Sequence, residues 1–418
     1  MYWRYLEGEL RKWLVKPYVQ ILFGARQTGK TTLLRKVCHE AALWIDLADP
    51  AERSRYLSRP GTLIDECLAL KKSETPHLIV IDEAQSVPSI FDAVQYLYDK
   101  EKTRWLFVLC GSSARKLRKT GANLLPGRAV YHHLYTLMAS ERPFPPSIAV
   151  QHEKPHSVIP SFSSQDDVLK EMLFPETDII TRLAFGELPG IAVATEDERA
   201  RLLKSYALIY LEEEIRREGL VKDWGAFVRF LQLVAAESGG ITNFMGISKE
   251  AGISVPTVKS YYQLLEDMFI GFRVPAFSKS ARKYLLSTPK FYFFDTGVRH
   301  AAAGLTPDRQ LVHAAPGRIF EQWVGTELWK RIGYTQQGTL YHYRTKGGAE
   351  IDFIVETDNR LIPVEVKWTE LPTEKDARHI IEFIKDHPDK AKDGYIVCRC
   401  LRPMQIYEKI TAIPYWAI

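Results

Sequence analysis

The sequence predicts an α/β protein, with a parallel sheet in its first third, a helical middle and a second region of helices and strands. Three observations carry this. Short apolar runs at Val19–Phe23, Leu43–Leu47, Leu78–Ile81 and Trp105–Cys110 alternate with helix-like stretches up to about Glu141, the pattern of βαβ units. From Glu196 to Met268 the chain reads as mainly helical. From Arg318 onward helix and strand alternate again, after the short aromatic strand Phe291–Phe294. Between the first two regions, Pro143 to Pro175 is rich in Pro, Ser and His without a period and reads as a linker or surface insertion. The expected domains are therefore 1–142, an irregular 143–195, a helical 196–290 and a C-terminal 291–418.

Composition narrows the class. A chain of 418 residues accommodates about two to four domains. Its 46 % hydrophobic and 26 % charged residues are ordinary for a globular protein and exclude a disordered one. No run of apolar residues is long enough to span a bilayer, and the first ten residues lack the layout of a signal peptide. No membrane partner is expected. Five cysteines without a C-x-x-C pair fit neither a disulfide framework nor a zinc site, so a reduced, cytoplasmic chain is the expectation. Net charge is +5, too small to imply a nucleic-acid partner by itself. Eight of the basic residues nevertheless fall within Glu101–Arg142 against two acids, clustered at Arg115-Lys116-Leu117-Arg118-Lys119. That cluster reads either as a solvated helix face or as a phosphate contact.

The strand Val19–Phe23 runs directly into Gly24-Ala25-Arg26-Gln27-Thr28-Gly29-Lys30-Thr31, a full G-x-x-x-x-G-K-[ST] pattern, and a helix-like segment begins at Thr32. Such a loop wraps phosphates with backbone N–H groups at a helix N-terminus. Lys30 reaches the outer phosphates and the Thr31 hydroxyl ligates Mg²⁺. The apolar run His77–Ile81 ends in Asp82-Glu83, at the strand end where open sheets bind ligands. Asp82 is the expected holder of the Mg²⁺ water shell and Glu83 the base for the attacking water. Trp105–Cys110 ends in Gly111-Ser112-Ser113, where a hydroxyl senses the terminal phosphate or caps the next helix. Arg128, after Gly127, is a candidate for stabilising transition-state charge, in its own subunit or a neighbour's.

These segments, G-A-R-Q-T-G-K-T-T-L, L-I-V-I-D-E-A-Q, L-C-G-S-S-A and L-P-G-R-A-V, together with the later F-Y-F-F-D-T-G, resemble the prokaryotic AAA+ ATPases that join a P-loop module to a C-terminal conserved domain of nuclease-like fold. The resemblance implies a P-loop NTPase sheet of AAA+ type. It also implies ATP as cofactor, Ser112 or Ser113 at the sensor position, Arg128 as finger, and leaves a homo-oligomer open.

In the middle region, Ile247–Glu266 reads as two helices about a turn at Gly252, with Ser254 capping the second and Pro256 in its first turn. Val258, Tyr261, Tyr262, Leu265 and Phe269 form the expected buried face, leaving Thr257, Lys259, Ser260 and Gln263 outward. An exposed recognition helix enters a DNA groove, but one base on that face is thin for phosphate contacts. In the family it resembles, a winged helix-turn-helix packs as a lid. Both readings stand, with Thr257, Lys259 and Gln263 as the candidate nucleic-acid contacts.

The C-terminal region holds a second centre. Ala349–Glu356 and Leu361–Trp368 flank Thr357-Asp358-Asn359-Arg360, a turn sequence. A hairpin centred on Asp358–Asn359 pairs Ile351 with Val366, Phe353 with Val364 and Val355 with Ile362, all apolar. Its other face pairs Asp352 with Glu365 and Glu350 with Lys367. A one-residue slip would mix the faces. Opposed carboxylates repel unless a cation such as Mg²⁺ or Mn²⁺ lies between them, and Lys367 shares the face of Glu365. Asp352…Glu365-x-Lys367 resembles the PD-(D/E)XK nuclease pattern. On the helix Arg318–Arg331, Glu321 lies about 20° from Leu328 around the wheel and is the expected helix acid, with Glu327 as substitute. A Glu350–Lys367 ion pair on a solvated face is the plainer reading.

The sequence thus predicts an ATP-binding and ATP-hydrolysing protein with a metal-dependent nuclease-like domain at Asp352, Glu365 and Lys367, acting on DNA more than RNA. The alternative is an ATP-dependent switch that binds nucleic acid or a protein partner without cutting.

Overall fold

The computed structural model describes residues 2–112, 125–142, 158–159, 177–207, 215–216, 219, 221–278, 288–345 and 347–418. Ser113, the basic cluster 115–119 and nearly all of the expected linker 143–175 lie outside them. The chain divides into two compact units, Met1–Thr136 with Asp267–Phe269, and Leu137–Glu266 with Ile270–Ile418.

The first unit is built on β1 (Val19–Phe23), β2 (Leu43–Asp46), β3 (His77–Asp82), β4 (Trp105–Gly111) and β5 (Ala129–His133). They form one parallel sheet in the order β2-β3-β4-β1-β5. Helices α1 (Tyr5–Leu14), α2 (Lys30–Val37), α3 (Pro50–Ser58), α4 (Thr62–Ala69) and α5 (Ser89–Lys100) complete it. All five residues of β1 are buried, as a central parallel strand covered on both faces requires. Val94, Leu97 and Tyr98 of α5 pack with Ile79, Ile81, Phe107 and Leu109 in the main core. Because every strand runs the same way, the chain leaves β1, β3 and β4 at the same edge of the sheet. That edge collects Gly24, Asp82 and Ser112.

In the second unit, α6 (Thr177–Phe185), α7 (Pro189–Val193) and α8 (Glu196–Ser205) precede α9 (Trp224–Ala236), α10 (Phe244–Ala251) and α11 (Val255–Asp267). Gly252 ends α10 in the left-handed region, at φ 71°, as a turn between two helices demands. Thr257 N donates to the Ser254 hydroxyl at 3.3 Å. Val258, Tyr261, Tyr262 and Leu265 are buried as expected. Phe269 is not part of that face: α11 stops at Asp267, and Phe269, with φ 59°, sets its ring 4.4 Å from His133 and 6.1 Å from Phe23.

Next come β6 (Gly271–Val274) and β7 (Lys290–Phe293), an antiparallel pair. The expected domain boundary at 290/291 therefore cuts a strand. Asp295 then caps α12 (Thr296–Ala302), accepting from Val298 N, and also accepts from Glu187 N at 2.6 Å. The F-Y-F-F-D-T-G segment thus has a buried structural task.

After α13 (Arg309–Ala314) and α14 (Pro316–Thr335), a six-stranded mixed sheet forms in the order β12-β13-β11-β10-β9-β8. Its strands are β8 (Thr339–Arg344), β9 (Glu350–Glu356), β10 (Leu361–Val366), β11 (Gly394–Cys398), β12 (Met404–Tyr407) and β13 (Ile410–Pro414), with α15 (Glu374–Asp386) between β10 and β11. The β9–β10 register matches the expected pairing, with Phe353 opposite Val364 and Val355 opposite Ile362. Gly325 of α14 lies so close to the Phe353 ring that a Cβ there would stand 2.6 Å from it. Ile354, on the opposite face by alternation, packs with Phe383 of α15. The two helices therefore cover opposite faces.

Candidate functional site

The phosphate loop joins β1 to α2, which begins at Lys30, two residues before the expected Thr32. Gln27 and Gly29 take positive φ, 60° and 92°, the alternation that turns successive N–H groups toward one concavity. A side chain on Gly24 would collide with the Leu134 carbonyl, so only glycine lets the loop leave β1. Thr28 Oγ1 donates to Ala25 O at 2.9 Å and closes the loop. Lys30 is buried at the start of α2, and its ammonium donates to Gly24 O at 2.9 Å and Ala25 O at 2.8 Å. Arg26, half-buried, and Thr32, exposed, flank the same turn.

The Thr31 hydroxyl donates to Asp82 Oδ2 at 2.6 Å, while Asp82 Oδ1 accepts from Glu83 N at 2.9 Å. A hydroxyl and a carboxylate in direct contact beside a buried lysine are the oxygen donors Mg²⁺ takes next to phosphates, so these residues fit the ion. Glu83 sits at φ 53°, a conformation uncommon for a residue with a side chain.

Two residues that sequence reasoning missed complete the arrangement. Gln85 Nε2 donates to Glu83 Oε2 and, at 3.1 Å, to the buried Ser112 hydroxyl. Gly111 leaves room for the Gln85 amide, since a Cβ there would strike it. The signal was present in I-D-E-A-Q, two positions past the acid. Arg4, 5 % exposed, donates to Thr28 O and to Tyr135 O, both at 2.6 Å, and nothing in its local sequence marks it.

Arg128 lies away from the loop. It stands immediately before β5, at the sheet edge opposite the phosphate loop, about 16 Å away along a five-residue strand. Its guanidinium grips Asp99 in a two-point pair, at 2.7 and 3.0 Å, which holds the Asp99 carboxyl below its ordinary range. It does not reach the nucleotide loop of its own chain.

The C-terminal carboxylates differ from expectation in what neutralises them. Asp352 Oδ2 accepts from Val366 N at 2.8 Å, replacing a ladder bond at the fork of β9 and β10. Burial, then the Glu321 and Glu365 charges, push the Asp352 carboxyl well above the carboxylate range. Glu365 is buried and its Oε1 accepts from Lys367 at 2.7 Å. Burial outweighs that ammonium and raises Glu365 as well.

Glu321 Oε1 accepts from Tyr292 OH at 2.8 Å and from Lys290 at 3.0 Å. The expected Glu350–Lys367 pair is replaced: Glu350 faces Lys290 at 3.4 Å and Arg344 at 4.0 Å. Glu327, the substitute helix acid, is elsewhere; wholly buried, it binds Lys330 at 2.9 Å and Ala139 N at 3.0 Å. Among the described residues, no three His, Cys, Asp or Glu side chains are grouped to hold a metal ion. In the set Glu321, Asp352, Glu365, one oxygen of each carboxylate is already engaged by an ammonium, a phenol or a backbone N–H.

Of the middle-region candidates, Lys259 and Gln263 are exposed and Thr257 half-buried. Thr257 is tied to Ser254, Lys259 lies over the Phe244 ring, and Gln263 accepts from Arg273.

The parallel sheet and its phosphate loop are those of a P-loop nucleotide-binding domain. Residues 16–142 match the family model of an AAA domain, and the N-terminal region carries that ATPase domain. Residues 176–309 match a domain of unknown function (DUF8612) and residues 316–418 another (DUF4143). The chain is similar to the uncharacterized protein Rv2008c of Mycobacterium tuberculosis, 26 % identical over 88 % of this chain and 74 % of that one. It is also similar to an uncharacterized protein of Haemophilus influenzae, 24 % identical over 89 % and 88 %.

Among solved structures, a RuvB variant from Thermotoga maritima covers 68 % of this chain and 92 % of its own, at 15 % identity and a TM-score of 0.27. PCH-2 of C. elegans covers 63 % and 67 %, at 16 % and 0.26. Likeness at that level says nothing about activity. No helix among the described residues is long and apolar enough to cross a membrane.

Proposed function

We propose that the protein is an ATP-hydrolysing switch whose C-terminal domain engages nucleic acid, DNA before RNA, without cutting it. The observation that carries the ATPase half is the 2.6 Å contact of Thr31 with Asp82 beside the buried Lys30. Lys30 would exchange its two loop carbonyls for the outer phosphates, and Thr31 and Asp82 would hold Mg²⁺. When bound, that ion neutralises charge across the phosphates. Glu83 would take the proton of the attacking water, oriented by Gln85, which ties it to the Ser112 hydroxyl at the sensor position.

Arg128, held at the far edge, suits only a neighbour's nucleotide, which a homo-oligomer would supply. Five buried, unbridged cysteines among the described residues support a reducing, cytoplasmic setting.

For the rest of the chain, α9–α11 followed by β6–β7 supports a winged helix-turn-helix, and the order α14-β8-β9-β10-α15-β11 supports the PD-(D/E)XK nuclease-like fold. A second reading, Mg²⁺- or Mn²⁺-dependent cleavage, is favoured by one detail: Glu365 Oε2 is buried without a hydrogen-bond partner.

Purified protein is incubated with linear, branched and single-stranded substrates, with ATP or ADP and with either metal. Retention of intact nucleic acid that changes with the nucleotide is expected. Cleavage abolished by Asp352→Ala would establish the second reading instead, and wild-type turnover by Lys30→Ala would remove the ATPase half.

A further inference from the structure

The four acids of the C-terminal centre, Glu321, Glu350, Asp352 and Glu365, need a compensating cation, and the fold supplies one from a distant segment. We propose that Lys290 is the resident counter-ion of this centre, its ammonium filling the role of a divalent metal, so that the centre binds no Mg²⁺ or Mn²⁺ in this conformation. This deepens the non-cutting reading of the same domain, but it stands on the centre's geometry alone.

Lys290 is 4 % exposed, and a buried ammonium persists only where carboxylates and hydrogen bonds surround it. It lies 3.0 Å from Glu321 and 3.4 Å from Glu350. Although burial pulls its pKa down, the Glu321, Asp352 and Glu350 charges more than offset this and hold it above the ordinary lysine value. Tyr292, two positions along β7, donates to the same Glu321 oxygen.

The ammonium is also fixed in place. Lys290 opens β7, where its backbone pairs with Val274 on β6 and bridges to Ile241, so it is presented by a sheet rather than by a swinging loop. Lys367 neutralises Glu365 at 2.7 Å in the same way.

Mg²⁺ demands an octahedron of oxygens at about 2.0–2.1 Å. Here Glu321 Oε1 is taken by an ammonium and a phenol, Glu365 Oε1 by a second ammonium, and Asp352 Oδ2 by a backbone N–H. Glu365 Oε2, buried without a hydrogen-bond partner, suits a water or a donor on the partner. Admitting a dication would strip Lys290 of its carboxylates and leave two positive charges buried together.

The test counts Mn²⁺ bound to the full-length, nucleotide-free chain by electron paramagnetic resonance, and follows Tm with and without Mn²⁺. The native chain should bind no ion that Asp352→Asn removes, and its Tm should not respond to Mn²⁺ through this centre. Lys290→Met should gain one Mn²⁺ per chain, lost again in Lys290→Met/Asp352→Asn, and its lowered Tm should be restored by Mn²⁺. Native protein holding an Asp352-dependent Mn²⁺ overturns the proposal, and so does folded Lys290→Met that takes up none. Should Lys290→Met fail to fold, native against Asp352→Asn still decides, with Lys290→Arg expected to fold and stay metal-free. None of these readouts involves nucleic acid, so they fail or succeed independently of the binding assay above.

Discussion

Arg4→Ala isolates the clamp on the phosphate loop. Arg4 makes two charge-assisted hydrogen bonds, one to Thr28 O in the loop and one to Tyr135 O beyond β5, both at 2.6 Å and both buried. Such bonds are worth about 1.5–3 kcal/mol each. Truncation to alanine leaves two buried carbonyls, and water entering the space returns part of the loss, so unit stability should fall by about 2–4 kcal/mol. The bond to Thr28 bears directly on ligand affinity, because a loop released from Arg4 must be ordered again by the nucleotide. If that bond's full worth is charged to binding, ATP affinity drops about 10- to 150-fold. Arg4→Lys should recover little, since one ammonium cannot reach two carbonyls through a planar fork. Calorimetric titration with ATP and Mg²⁺, at a temperature where the variant is folded, reads the change. Wild-type affinity in folded Arg4→Ala would refute the clamp.

Further outcomes follow from the geometry. Glu83→Gln should bind ATP with native affinity and lose about 10²–10⁴ in kcat. Gln85→Ala, which unties Glu83 from Ser112, should lower kcat about tenfold at nearly constant KM, and steady-state assays showing native kcat would exclude either role. Glu327→Ala should cost about 3–5 kcal/mol in denaturant unfolding, because it strands the buried Lys330 ammonium; a loss below 1 kcal/mol would contradict the pairing. His300, fully buried and neutral, is held at about 4 by burial and then by the Arg299 charge. Its folded value lies below the unfolded 6.5, so stability is whole above pH 6.5 and is lost as pH falls toward 4, by about 3 kcal/mol. His300→Gln should flatten that acid limb, and an unchanged pH profile of unfolding would contradict the assignment. Asp295, raised to about 6 mainly by burial, works in the opposite sense, its contribution fading as pH rises through 6.

How much of this was legible depended on range. β1, β3 and β4 are continuous apolar runs buried on both faces, and their ends could be placed within a residue. β5 leaves no such signal, because an edge strand carrying Tyr131, His132 and His133 lacks the apolar run of its neighbours. The β9–β10 register was readable since a period of two and a good turn leave one pairing that keeps the faces apart. Helical arithmetic puts Glu321 at the inward edge and keeps Glu327 only as its substitute, whereas the separate tasks of the two come from tertiary packing, which buries Glu327 against Leu137–Glu141 and opens Glu321 toward Tyr292. Lys290 was invisible for a different reason. Its partners lie thirty to sixty residues downstream, and the aromatic run that marks its strand begins one residue after it. Arg4 and Arg128 show the same limit, for a guanidinium reaches far enough that its partner is set by topology and not by local pattern.

The two lysines at the hearts of the two centres explain why one should exchange ligands and the other should not. Lys30 is satisfied by two neutral carbonyls of its own loop, and Thr31 by Asp82. A triphosphate brings full negative charge to the ammonium, so the bonds it displaces are weaker than those it makes, and the loop gains by letting go. Lys290 already holds carboxylates. An incoming phosphate would trade one charged oxygen for another while leaving acids buried and unpaired, a substitution with no evident gain and a desolvation cost. On this ground Lys290→Gln should disturb folding of the C-terminal unit before it disturbs any binding, whereas Lys30→Gln should leave the fold intact and abolish nucleotide binding. Paired unfolding and ATP-titration curves for the two variants would show whether the contrast is real, and equal effects on both readouts would defeat it.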